Sequence, residues 1–149
     1  MNKQKFRLSD YDGTIREVLE SGGEFRIYPS GTSMLPLLRQ GLDSVSLVKP
    51  SGQLKNNDIA FYIRENGSYV LHRVIKSHDG VYTMCGDNQV ALEKDIDHSR
   101  IIGVVSKIFR NDKPFNMKGA GYRIYLLLWR SFFLRRVFFK LRNIFGKRK

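Results

Sequence analysis

The 149-residue chain holds one cysteine, Cys85, which excludes an intrachain disulfide and any zinc site built on cysteines. In its Met-Cys-Gly-Asp setting that thiol reads as a small buried hydrophobe. The three histidines, His72, His78 and His98, include no pair at H-E-x-x-H spacing, and no glycine-rich phosphate loop is present. Metal and nucleotide roles are set aside, and the pattern calls for no cofactor. Residues 1–24 are too polar for the apolar core of a signal peptide or for a membrane span, so no signal peptide is expected there. Acid is also missing from one region. All 14 Asp and Glu fall within residues 1–112 alongside 15 Lys and Arg, whereas residues 113–149 hold 11 Lys and Arg and no acid. The net charge of +12 is therefore a near-neutral body with a cationic tail.

What is there reads as one mainly β, antiparallel domain over residues 1–112, followed by a helical tail over 113–149. Thr14 and Glu17 have capping-box spacing, predicting a short helix over about 14–21 that stops at Gly22-Gly23. Strands are predicted at Phe25–Tyr28, Ser44–Lys49, Ile59–Arg64, Tyr69–Lys76, Val81–Cys85 and Ile101–Phe109, with 86–100 irregular. Asn66-Gly67 and Asp79-Gly80 supply tight turns on either side of the fourth strand. Gly119 to Phe145 is long, aromatic and free of proline, and predicts one basic amphipathic helix. Its longest uncharged run, Ile124 to Trp129, is six residues. Each central Arg or Lys costs about 2.5–3.5 kcal/mol on insertion, so a span is excluded. At 100° per residue the cations fall on several sides of a single helix. A core helix would leave these cations uncompensated, so the expected partner is an anionic surface. The density of Phe, Leu and Trp favours membrane over nucleic acid, giving a peripheral association whose side is undetermined.

Several residues invite a chemical reading, though each has a plain structural one. Ser33 lies in Ser30-Gly31-Thr32-Ser33-Met34, where flexible backbone precedes a hydroxyl and Pro36 follows it. Serine, glycine and proline together usually make only a loop. A nucleophilic serine needs a base, a group to orient the base, and amides for the oxyanion. His72 is mid-strand, with Val70 and Val74 on its face, a setting typical of a satisfied core histidine. His78 and His98 sit in polar stretches and read as solvated. Gly86-Asp87-Asn88 by itself is ordinary turn chemistry.

Their order is more informative than any one of them. GTSMLPLL, KNNDIAFY, VLHRVIK, MCGDN and IIGVV, in that sequence over Phe25 to Phe109, resemble the boxes of the type I signal peptidase family. The resemblance implies a signal-peptidase-like β domain and a serine endopeptidase that cuts leader or signal peptides after small residues. Leu71-His72-Arg73-Val74 matches the archaeal and endoplasmic-reticulum branch, whose base is histidine. By that resemblance Ser33 is the nucleophile and His72 the general base. The orienting acid is Asp87 or Glu93, nearly level, with Asp95 a more distant candidate. Gly31, Thr32 and Met34 would line the oxyanion and substrate region.

The chain departs from the family pattern in three places. Gly31 stands where many relatives have a serine whose hydroxyl assists the oxyanion hole, leaving that work to backbone amides. The Gly-Asp after the serine box is split as Gly41-Leu42-Asp43. The polar segment Thr14 to Glu20 replaces a membrane helix before the box. Two rival readings remain. A self-cleaving regulator of the LexA type calls for a lysine base and an N-terminal helix-turn-helix, against which Leu71-His72-Arg73 and the short 1–24 segment both speak. A non-enzymatic β domain would use the basic tail alone to bind an anionic membrane or nucleic acid.

Overall fold

A computed structural model describes residues 8–146. Helix α1 (Asp12–Glu20) is placed by Ile15 and Leu19, one turn apart and both buried. Its start differs from the Thr14–Glu17 expectation. A 3₁₀ turn at Leu8–Tyr11 runs straight into it, Tyr11 is the N-cap without a side-chain capping bond, and Thr14 lies inside the first turn. Its end follows expectation. Gly22 adopts φ +83°, its N–H donates to Leu19 O at 3.1 Å, and the Gly23 N–H donates to Val18 O at 2.9 Å. Those paired bonds make a left-handed C-cap, which glycine enters without steric cost.

The body is an antiparallel sheet of eight strands: β1 (Phe25–Ile27), β2 (Asp43–Val48), β3 (Ile59–Ile63), β4 (Tyr69–His78), β5 (Val81–Cys85), β6 (Glu93–Asp97), β7 (Ile101–Arg110) and β8 (Lys113–Phe115). The order is β1-β2-β7-β3-β4-β5-β6, with β8 paired to β7. Residues of β3 alternate between two apolar clusters. Ile59 and Phe61 join α1, β2 and the segment after Ser33, while Ala60 and Tyr62 join Val70, Val74, Tyr82 and Met84. A strand covered on both faces reads as a continuous apolar run, which is why IAFYI shows no polar alternation.

Two strands lie outside the expected segments. β6 (EKDID) buries only Ile96 and is held by pairing to β5, so no hydrophobic period marks it. β8 is three residues that return beside Ile108–Arg110. The tail also differs from the single expected helix, forming α2 (Ala120–Arg130) and α3 (Phe132–Gly146). The break falls at Ser131, whose backbone leaves the helical region at ψ 100° and whose hydroxyl accepts from the Leu134 N–H at 3.3 Å. A serine capping its own third residue is a helix start, and restarting there shifts the phase of everything after it. Among the described residues no helix is long and apolar enough to cross a membrane.

Gly103 shows how tightly α1 sits on the sheet. A Cβ there would lie 3.0 Å from Leu19 Cδ1 and 3.3 Å from Leu47 Cβ. Gly103→Ala is expected to lower unfolding stability by roughly 1–3 kcal/mol, the range for overpacking a filled core. Urea denaturation followed by circular dichroism measures this, and unchanged stability would mean that α1 is not pressed onto β7.

Candidate active site

The loop between β1 and β2 carries the hydroxyl-rich stretch. Its base is closed by Asp43, which is fully buried and accepts from the Arg39 backbone N–H at 2.9 Å and from Arg39 Nε and Nη2 at 2.9 and 2.8 Å. Those bonds hold the Asp43 carboxyl below the usual carboxylate range, against the opposing effect of burial. Met34, Leu37 and Leu38 sink into the core, whereas Ser30, Gly31 and Thr32 are exposed. Gly31 takes φ +86° and donates its N–H to Gln40 Oε1 at 2.8 Å. The apolar half of the segment thus anchors a turn that presents the hydroxyl half. Among the described residues the Ser33 amide has no intrachain acceptor, while the Leu35 amide bonds Thr32 O at 3.2 Å.

His72 is presented by the central strand β4, opposite Ala60 of β3, and is 2% exposed. Alternation puts it on the same face as Tyr62, its diagonal neighbour. Its Nδ1 lies 3.1 Å from Glu93 Oε1 and 3.3 Å from Tyr62 Oη. Glu93, the first residue of β6, also accepts from Tyr62 Oη at 3.0 Å and Arg64 Nε at 2.9 Å, with a second short contact to Arg64 Nη2. Burial lowers the His72 pKa below its ordinary value, Glu93 pulls it up, and Arg64 adds to the lowering. Burial pushes the Glu93 carboxyl up, but the bonds from Arg64 and Tyr62 outweigh it and leave the acid ionised more readily than usual. Tyr62 is pushed well above the usual phenol range by burial and the nearby carboxylate.

The other face of the imidazole looks at Gly86. A Cβ at Gly86 would meet Ser33 O at 2.6 Å, Gln89 Oε1 at 2.8 Å and His72 Nε2 at 3.1 Å. Only glycine lets the Ser33 loop and the histidine approach across this turn. Asn88 ties the turn to the loop, its backbone N–H donating to Ser33 O at 2.8 Å and its Nδ2 to Thr32 O at 3.0 Å. Ser33, His72, Gly31, Met34 and Gln89 line one cleft of about 230 Å³, bounded on one side by Ile27, Tyr28 and Pro29 of the β1 edge. Thr32 contributes its carbonyl to Asn88 and is not in the cleft wall. Among the described residues no hydrogen bond runs from the Ser33 hydroxyl to His72.

Of the two acids ranked level in the sequence, only Glu93 touches His72. Asp87 is fully buried, and among the described residues its carboxylate accepts from Arg73 Nε (2.8 Å), Arg73 Nη2 (2.7 Å) and Tyr125 Oη (2.6 Å) and from no other group. An orienting role for Asp87 is therefore replaced by a structural one: the neighbour of His72 on β4 points to the opposite face and claims it. Arg73 Nη1 also donates to Asn57 O at 2.9 Å and Tyr122 Oη at 3.1 Å. Asp95 is exposed, lies in a separate surface depression with Lys76 and His78, and does not approach His72. His78 is exposed beside Asp79, and His98 bonds Tyr82 Oη at 2.7 Å. Among the described residues no cluster of His, Cys, Asp and Glu could hold a metal ion.

Sequence reasoning overlooked Tyr62, Arg64, Arg73 and the contribution of the tail. An arginine in the middle of the apolar run VLHRVIK was a usable signal, because a buried guanidinium demands a carboxylate. Tyr125 and Trp129 of α2 bond the Asp87 carboxylate and its carbonyl, and Arg135 of α3, 1% exposed, donates to Gly86 O at 3.2 Å and Gln89 O at 3.0 Å. The inner side of the tail thus completes the turn that faces Ser33 and His72. No protein-family model matches the chain, and comparisons with curated proteins and with solved structures return no match.

Two measurements test this site independently of any activity. His72 should titrate below 6.5 by NMR. An unfolded histidine binds its proton near that value and the folded one does not. The unfolded state therefore takes up more protons as pH drops, and folding stability declines as pH falls from about 6.5 toward the folded pKa. Glu93→Gln should lower the His72 pKa further by removing the carboxylate in direct contact with it, leaving the weaker pull of Asp87; a rise would exclude this geometry. Asp87→Ala strands the Arg73 guanidinium and should cost about 3–5 kcal/mol in denaturant unfolding, while Arg73→Met with Asp87→Leu should cost less than Asp87→Ala alone. Equal stability of wild type and Asp87→Ala is the contrary result.

Proposed function

We propose that the protein is a serine endopeptidase of the signal-peptidase type, with Ser33 as nucleophile, His72 as general base and Glu93 as the acid that orients it. The observation that carries the reading is the two-sided setting of His72. Its Nδ1 is held against Glu93 and Tyr62, leaving Nε2 toward Gly86 and the Ser33 loop. A carboxylate on one nitrogen selects the tautomer whose other nitrogen accepts a proton. Burial keeps that nitrogen unprotonated at neutral pH, so it is available as a base.

In the proposed reaction His72 Nε2 takes the Ser33 proton as Oγ adds to the scissile carbonyl. The oxyanion is met by backbone amides, foremost the Ser33 N–H, which has no acceptor among the described residues. Collapse breaks the C–N bond, His72 returns its proton to the leaving amine, and an acyl-enzyme remains. Water, deprotonated by His72, then releases the acid and restores Ser33. Catalytic hydrogen bonds often close only when substrate is bound, which accommodates the open Ser33–His72 contact at rest. The short edge strand β1, paired among the described residues to β2 alone, adjoins the cleft and suits an extended peptide that adds as a further strand. The family resemblance adds the preference for small residues before the cut and for leader or signal sequences.

We assign the tail to an anionic membrane surface. Along α2 and α3 the side turned from the body exposes Ile124, Leu127 (72%), Leu128, Phe133 (74%), Val137 and Leu141. Arg123, Arg136 and Lys140 are exposed on the same helices without any acid to offset them. An apolar strip flanked by cations is the pattern of a helix lying in the membrane interface, where each Lys or Arg near anionic lipid adds about 1 kcal/mol.

Cleavage of a leader peptide with an Ala-x-Ala end, with lipid present, tests the activity. Ser33→Ala and His72→Ala should each lose at least about 10³-fold in kcat, as expected for groups acting as a unit. Gly86→Ala should lose activity as well, since its Cβ falls between Ser33 and His72. The acid limb of the wild-type kcat/KM profile should lie below pH 6.5. Equal cleavage by wild type and Ser33→Ala, or vesicle binding with no Ser33-dependent cleavage, would leave the non-enzymatic membrane-binding domain as the better description.

A further inference from the structure

We propose that Arg135 and Arg142 of α3 are positioning residues for Ser33, so that peptide cleavage depends on how α3 is seated, and that an anionic bilayer beneath its outer face seats it. The proposal rests on the peptidase and membrane readings above and adds the physical link between them. That link is short. Arg142 Nη1 donates to Asn88 Oδ1 at 2.9 Å. The same Asn88 side chain donates through Nδ2 to Thr32 O, and its backbone N–H donates to Ser33 O. One asparagine therefore has α3 on its acceptor and the nucleophile loop on both its donors. Arg135 acts one step earlier in the turn, bridging Gly86 O and Gln89 O on either side of Asn88, with its Nε on Trp129 O at 2.6 Å. Two basic side chains of one helix thus define both the path of the turn and the orientation of Asn88.

The burial of Arg135 argues that this contact has a purpose beyond stability. Its guanidinium is enclosed among backbone carbonyls and the Cys85 sulfur, and among the described residues no carboxylate bonds it and its Nη2 has no hydrogen-bond partner. The Phe132 ring centroid lies 4.9 Å from the guanidinium carbon, and a cation desolvated on carbonyl dipoles and one aromatic face without an anion is costly compared with an apolar side chain of similar size. α3 is otherwise weakly committed to the body, since Phe133, Val137 and Leu141 are exposed and, among its described apolar residues, only Phe132 and Phe139 are half-buried. A helix held mainly by polar bonds on its inner side and carrying its apolar residues outward has two determinants of position, the turn and whatever covers that outer side. Loading the outer side removes the freedom of the helix to rock, and the inner arginines transfer that restraint to Asn88 and Ser33.

The test uses the full-length protein with phosphatidylcholine vesicles containing or lacking phosphatidylglycerol. Amide exchange at Asn88 and Leu35 and the kcat and KM of a water-soluble leader peptide are followed in parallel. Anionic vesicles are expected to slow exchange at both amides and to raise kcat about tenfold while KM changes less than about twofold, a placement effect rather than a binding effect. Arg142→Ala, an exposed change that leaves the fold intact, should still bind vesicles yet lose both responses. Arg135→Lys, which keeps the charge and loses the fork, should lose most of the kcat. A protein that fails to bind the vesicles, one that binds without protection of Asn88, or an Arg142→Ala variant that responds like wild type overturns the proposal. Protection without any peptide cleavage would retain the coupling and reject the peptidase reading. Cleavage that ignores vesicles would do the reverse.

Discussion

The buried ion pair between Arg73 and Asp87 organises the molecule. Arg73 extends from β4, Asp87 starts the turn after β5, and their bidentate contact lies in a setting 1% and 0% exposed. Such a pair offsets its desolvation only when all its hydrogen-bonding capacity is used. Here Arg73 also reaches Asn57 O before β3 and Tyr122 Oη of α2, while Asp87 accepts from Tyr125. Four segments distant in sequence meet at one guanidinium. His72 and Arg73 are successive residues on one strand, so their side chains leave opposite faces. The strand that anchors the pair necessarily aims the histidine at the other side.

That geometry divides the two acids by function. Asp87 neutralises a structural cation and holds the Gly86–Asn88 turn in place, whereas Glu93 stands against the imidazole with Tyr62 and Arg64 around it. Arg64 keeps Glu93 ionised, and the ionised Glu93 offsets part of the burial that would otherwise drive the His72 pKa still lower. The result is a buried imidazole that is neutral near pH 7 and oriented by a carboxylate, in a cleft beside an exposed strand edge and a hydroxyl loop.

The C-terminal helices belong to the same network on their inner side and to the solvent on their outer side. Tyr122 is packed in the main apolar cluster, and Trp129 and Arg135 reach the turn backbone. One charged tail thus has an inward face of polar and aromatic contacts and an outward face of leucines and phenylalanines. Charge counting shows that the tail differs from the body, and the break at Ser131 divides it into two helices that each carry an inward and an outward side.

The sequence by itself determined the strand segments of the body, the two tight turns, the glycine stop of α1 and the candidate hydroxyl and imidazole, Ser33 and His72. The strands, turns and glycine stop follow from local rules, namely hydrophobic period, turn chemistry and residue type, which act over a few neighbouring positions, whereas Ser33 and His72 stand out only through the family resemblance. It did not mark β6, because a strand that buries only Ile96 has no period to read and exists through its pairing with β5. Nor did it separate Asp87 from Glu93, since both lie near one turn and differ only in which distant side chain each meets. Tertiary structure decided that Arg73 takes one and His72 the other, that Tyr62 and Arg64 join the site, and that Arg135 completes it. The reason is physical: a buried charge is defined by the partners that replace its water, and those partners come from strands and helices brought together only by packing.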